Sequence, residues 1–312
     1  MNYYFQDRAV NFGQGFTCLR TLEGHQGSVY ALTVAEDGQR FWSWGLDETL
    51  KTWDLMTGEC LASYPEFTKI NLIRVTTDQR FLVTASWDES IKIWDLDSGR
   101  CCYCLQTTEG EPVIANAIVI TNDNQYLISG GWDKQIRLWE MATGQCLQVF
   151  KGHQGDINSL ILTADNQYLL SSSWDGTIRC WEMISGDCLQ VLKSRSQQFE
   201  HLAIAPDNAW LAASSKHKVL SIWDIAQGRC LKMVRGHSKE ITGVLILTEP
   251  RVIVTASWDE TLRFWHTETG ECLQTLQEHQ GRIWAIAMTP DGKRLITGSQ
   301  DKQIKIWGIS EG

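Results

Sequence analysis

The chain has 312 residues, with 28 basic against 37 acidic side chains and a net charge of −9. No stretch clusters Lys and Arg, so a phosphate backbone finds little attraction and nucleic acid is not an expected partner. No run of 18 apolar residues exists, and the opening segment mixes Asp7, Arg8 and Asn11 with aromatics, which excludes a hydrophobic membrane helix and does not resemble a secretion signal.

In chain order, residues 1–15 form an N-terminal extension whose Tyr3, Tyr4, Phe5 and Phe12 are apolar enough to pack against the rest or hold a partner. From residue 16 to about 309 one unit recurs. Trp53, Trp94, Trp139, Trp181, Trp223, Trp265 and Trp307 are separated by 41, 45, 42, 42, 42 and 42 residues. That period overrides the two domains that length alone suggests, and four strand-like segments per unit describe a propeller blade. In the fourth unit the strands are expected at 157–162, 168–173, 177–182 and 188–192. Connections such as Ala164-Asp165-Asn166-Gln167 are too short for a parallel crossover, so each unit is an antiparallel meander. Sheets apolar on both faces must stack around an axis, which gives an all-β, seven-bladed β-propeller. Only Gly308 to Gly312 follow Trp307, too few for a last fourth strand, while Cys18-Leu19-Arg20-Thr21-Leu22 matches Cys272-Leu273-Gln274-Thr275-Leu276. The N-terminal strand 16–22 is therefore expected to complete blade 7 and close the ring.

Gly-His at 24–25, 152–153 and 236–237, Asp six residues before six of the seven Trp, and Trp-Asp at 53, 94 and 223 give the chain its resemblance to the WD40 family. The regularity of the array resembles the bacterial members. The resemblance implies that His25, Ser43, Asp47 and Trp53; His153, Ser171, Asp175 and Trp181; His237, Thr255, Asp259 and Trp265; and His279, Thr297, Asp301 and Trp307 form structural hydrogen-bonded tetrads. Read as catalytic triads, they would make four active sites in one chain, whereas repeated satisfied networks are expected of a repeat protein. The second and third units keep Thr84, Asp88, Trp94 and Ser129, Asp133, Trp139, with Phe67 and Pro112 near the His position. The fifth keeps only Trp223, with Ser196, Ala213 and His217 in place of His, Ser and Asp, and should be the softest blade.

Of ten cysteines, Cys18, Cys60, Cys101, Cys146, Cys188, Cys230 and Cys272 share one repeat position. They are too far apart to bridge and read as free thiols used for small apolar packing, as in a reducing cytoplasm. Cys101 and Cys104 have a redox or zinc spacing, but three apart on a regular strand they point to opposite faces, so no metal or other cofactor is expected.

Because strands alternate in direction, the turn entering the first strand and that between the second and third lie at one end, the upper face. The residue before each turn Asp projects there: Leu46, Trp87, Trp132, Trp174, Lys216, Trp258 and Gln300. On the same rim come Tyr30, Asn71, Asn116, Asn158, Glu200, Thr242 and Trp284. Trp87 with Asn71, Trp132 with Asn116 and Trp174 with Asn158 suggest an aromatic and amide arc, flanked by the charges of Glu200 and Lys216. Related propellers usually bind peptides at these positions, so the resemblance implies a monomeric, non-enzymatic adaptor that binds a protein or peptide there. The alternative is a small-molecule or glycan sensor, since Trp stacking and Asn amides also suit sugars.

Overall fold

A computed structural model describes residues 15–88, 90–106, 113–194, 198–247 and 251–309. It contains seven four-stranded sheets, each a meander in which consecutive strands pair antiparallel. Blade 4 consists of Ile157–Leu162, Tyr168–Ser173, Thr177–Glu182 and Cys188–Lys193, from inside outwards. The first strands of the blades contact one another in sequence around an axis, and that of blade 7, Ile283–Met288, meets that of blade 1, Val29–Val34. The ring is closed. Blade 7 takes its fourth strand, Phe16–Leu22, from the N-terminal side of the array, paired to Ile304–Ile309.

Packing follows from sheets that are apolar on two faces. Each core cluster joins neighbouring blades, as where Val29, Leu32, Phe41 and Trp53 of blade 1 meet Ile296, Ile304 and Ile306 of blade 7. Burial of such side chains contributes about 1.5–3 kcal/mol each. At the lower end the hairpin between first and second strands is locked by a threonine. Thr163 Oγ1 donates to Asp165 Oδ1 at 2.6 Å and accepts the Tyr168 N–H at 3.0 Å, and Thr76, Thr121 and Thr289 repeat the arrangement.

The cysteines depart from the packing role expected of them. All ten thiols are free, and none of the seven repeat cysteines is buried; Cys60, Cys101, Cys188 and Cys272 are exposed. Each opens the fourth, outermost strand or lies near its start, where the register against the third strand slips by one residue. Each thiol donates to the carbonyl two residues on, as Cys230 does to Lys232 O at 3.3 Å. The sulfur satisfies a bulge carbonyl at the rim, not the core.

Candidate functional site

The four tetrads are built at the upper end of blades 1, 4, 6 and 7. In blade 4, Trp181 Nε1 donates to Ser171 Oγ at 2.8 Å, His153 Nε2 lies 2.7 Å from the same hydroxyl, and His153 Nδ1 lies 2.8 Å from Asp175 Oδ2. With a neutral imidazole every hydrogen finds an acceptor, because the Ser171 hydroxyl donates to Nε2 and Nδ1–H donates to the carboxylate. His25, Ser43, Asp47, Trp53; His237, Thr255, Asp259, Trp265; and His279, Thr297, Asp301, Trp307 repeat the chain at distances of 2.7–3.0 Å. Burial opposes charge on Asp175, but bonds from His153, Thr177 and the Gln154 N–H outweigh it and hold the carboxyl below its ordinary range. In His25 burial dominates and lowers the imidazole, with Asp47 opposing. Gly precedes three of these His because a Cβ at Gly152 or Gly236 would lie 3.1 or 2.6 Å from the Trp ring. The serine or threonine hydroxyl is buried between Trp and His, so the set is closed to substrate.

The incomplete units find substitutes. In blade 2 Trp94 Nε1 donates to Thr84 Oγ1 at 2.9 Å, Asp88 accepts from Ser90, and the Phe67 ring packs 4.8 Å from Trp94 where His would stand. In blade 3 Trp139 Nε1 donates to Ser129 Oγ at 2.8 Å, while Asp133 pairs with Arg137. In blade 5 Trp223 Nε1 turns to Ser221 Oγ at 2.8 Å, a local bond that ties nothing to the upper loop. Pro112 and Ser196 lie outside the described residues.

The rim positions acquire a physical cause from the ladder. Tyr30, Asn71, Asn158, Thr242 and Trp284 each fall where the first strand slips register by one residue, and Glu200 falls within the corresponding irregularity of blade 5. A bulge re-aims its side chain, here towards the upper mouth.

The structure distributes these residues differently from the arc read in the sequence. Trp87 and Trp132 are 41% and 51% exposed, but Trp174 is half-buried. Its Nε1 donates to Glu200 Oε1 at 3.0 Å, and Lys216 Nζ sits 4.3 Å from its ring centroid. Burial pushes the Glu200 carboxyl up, against the opposing pull of Trp174 and Lys216. The Asn rim is engaged internally: Asn71 Nδ2 donates to Ala115 O at 2.8 Å and Asn158 Nδ2 to Phe199 O at 3.0 Å. These amides staple each blade to the next, because the carbonyl they reach belongs to the neighbouring entry strand or its approach. Asn116 is half-buried on the same rim.

A second aromatic group crosses the ring's seam. Trp258 of blade 6 lies 5.1 Å from Trp284 of blade 7, which stacks at 4.4 Å on Tyr30 of blade 1, which in turn meets Trp87 of blade 2 edge-on at 5.2 Å. Arg282 covers the Trp258 ring at 5.0 Å. The indole N–H groups of Trp258 and Trp284 are enclosed without a hydrogen-bond partner among the described residues. Sequence alone could not show this chain, since residues 30 and 284 meet only once the ring closes.

A family model described as WD domain, G-beta repeat matches the chain seven times, over residues 16–54, 58–95, 100–140, 144–182, 186–224, 228–266 and 270–308. The chain belongs to the WD40 family. Each WD40 repeat straddles two blades, supplying the outer strand of one and the three inner strands of the next. This stagger makes the first repeat the fastener of the last blade. WD40 propellers are generally non-enzymatic scaffolds that bind protein partners.

Proposed function

We propose that this WD40 propeller is a non-enzymatic, monomeric adaptor that holds a protein or peptide segment across its upper face. The carrying observation is the continuous chain Trp258, Trp284, Tyr30 and Trp87 across four blades, beside the exposed Trp132. Contiguous aromatic area of this kind suits a segment that offers apolar side chains. The ten free thiols support work in the reducing cytoplasm.

The test replaces Trp87, Trp132, Trp258 and Trp284 by Ala and compares the proteins that co-purify. Loss of a partner seen with the wild type supports the adaptor. Unchanged partners, with loss instead of a sugar-induced change in tryptophan fluorescence, would assign the face to a glycan and overturn it.

A further inference from the structure

On the outer edge of blade 2, in the strand Arg100–Leu105, Cys101 faces Trp94 and Tyr103 faces Ile93, so Cys102 is an extra residue. A bulge shifts the alternation of side chains by one, and residues three apart across it share a face. The regular-strand argument that separates Cys101 from Cys104 therefore fails. Two other blades display the result: Cys18 Sγ lies 3.7 Å from Thr21 Oγ1, and Cys272 Sγ lies 3.4 Å from Thr275 Oγ1. In blade 2 both positions are thiols, and both are exposed.

The ladder also sets Lys92 opposite Cys104. Lysines at that position reach across in two blades, Lys51 Nζ donating to Ser63 Oγ at 2.8 Å and Lys305 Nζ to Thr21 Oγ1 at 2.9 Å. The extra thiol of Cys102 turns back to Arg100 O at 3.9 Å.

The geometry points to Cys101 and Cys104 as a two-sulfur clamp for a soft monovalent cation of the copper(I) kind, with Lys92 beside it to offset the charge of the complex. Each thiol releases its proton to solvent and each sulfur forms one bond to the cation. No electron moves, and the product carries one net negative charge. Metal–thiolate bonds of about 2.3 Å hold two sulfurs about 3.8–4.6 Å apart, somewhat wider than the 3.4 and 3.7 Å sulfur–oxygen contacts of the equivalent pairs. No group of three or more His, Cys, Asp or Glu converges among the described residues. A four-coordinate ion such as zinc is thus short of ligands, while a two-coordinate soft ion is complete.

The experiment titrates the anaerobic, fully reduced chain with copper(I) against a chromophoric copper(I) chelator. The wild type should take up one ion at the tightest site. C104S, which reproduces the Cys60 and Ser63 arrangement of blade 1 and so keeps a side chain the fold already accepts, should bind that ion about a hundredfold more weakly, as loss of chelation implies. S63C in blade 1, beside Lys51, should add a second tight site. Equal affinity in wild type and C104S, or no added site in S63C, would overturn the clamp. So would closure of Cys101 and Cys104 to a disulfide by a mild oxidant in a chain that takes up no copper.

Discussion

Gln274 engages both backbone groups of Phe16 with its one amide, accepting the Phe16 N–H at 3.0 Å and donating to its carbonyl at 2.8 Å. Gln274 is on the outer strand of blade 6 and Phe16 begins the strand that completes blade 7, so the bond pins the fastener to its neighbour. Phe16 is buried, with its ring 5.1 Å from Phe264. Deleting residues 16–22 uncovers Ile304–Ile309 as an open edge and should abolish soluble folded protein, while deleting 1–12 should leave the melting temperature nearly unchanged. Gln274→Ala should cost about 1–2 kcal/mol by the loss of two hydrogen bonds. A thermal melt of the three variants checks the order, and equal behaviour of the two truncations would contradict it.

The blade count, strand limits and closure were legible because they rest on period and on local pattern. Blade 4 differs from expectation by one residue, Lys193, at its outer end. The tetrad partners came through the resemblance to the WD40 family, which implies them at fixed offsets from each Trp. The bulges were not legible. A one-residue slip that every blade shares leaves the repeat period intact, so the facing of Cys101 and Cys104 and the exposure of the repeat cysteines read wrongly. Contacts between blades were hidden for another reason: Asn71 reaches Ala115 and Trp174 reaches Glu200 across a sheet interface, where composition suggested free rim groups.

Ser171 is the node of its tetrad, bonded to both Trp181 and His153 and fully buried. Ser171→Ala leaves an enclosed indole N–H unpaired and deprives the imidazole of its partner, which should cost about 2–4 kcal/mol in chemical denaturation. Ser221→Ala in blade 5 removes the bond from Trp223 Nε1 and the bond to Ala213 O, both within its own sheet, and should cost about 1–3 kcal/mol. Blade 5 lacks both a His-to-Asp tie and the bond from Trp to a second-strand hydroxyl that blades 2 and 3 keep, so it should also exchange its amides first. Hydrogen exchange comparing Phe199–Ile204 and Trp210–Ser215 with Ile157–Leu162 and Tyr168–Ser173 checks this; equal protection would refute it.

His201, on the innermost strand of blade 5, is enclosed enough that burial lowers its pKa to about 4. Between the ordinary value of 6.5 and that value, the unfolded chain binds a proton that the folded chain refuses. Stability must therefore fall as pH drops from 6.5 towards 4, by about 3 kcal/mol in all, and stay constant above 6.5 as far as this group decides. The depressed tetrad carboxylates act in the same direction, but only below their ordinary 3.8. Urea denaturation at pH 7.5 and 4.5 should show a clear loss in the wild type and a smaller one in His201→Gln. An identical slope in both would remove His201 from the account.

Arg74 occupies the innermost strand of blade 2 at the register that holds Thr33, Val119, Ile161, Ala203, Leu245 and Ala287 in the other blades. It is the one charge in that layer. Its Nη1 donates to Ile73 O at 2.8 Å, and no carboxylate among the described residues forms an ion pair with it. Burial lowers its pKa, the mark of a cation held where water is scarce. A guanidinium so placed loses hydration that one carbonyl does not replace, whereas its methylene stem packs as an aliphatic chain would. Arg74→Met keeps most of the stem volume and removes the charge, so it should raise the unfolding free energy by about 1–3 kcal/mol. Urea midpoints with an unchanged slope measure the gain. A less stable Arg74→Met chain would mean that the guanidinium stabilises its surroundings more than its desolvation costs.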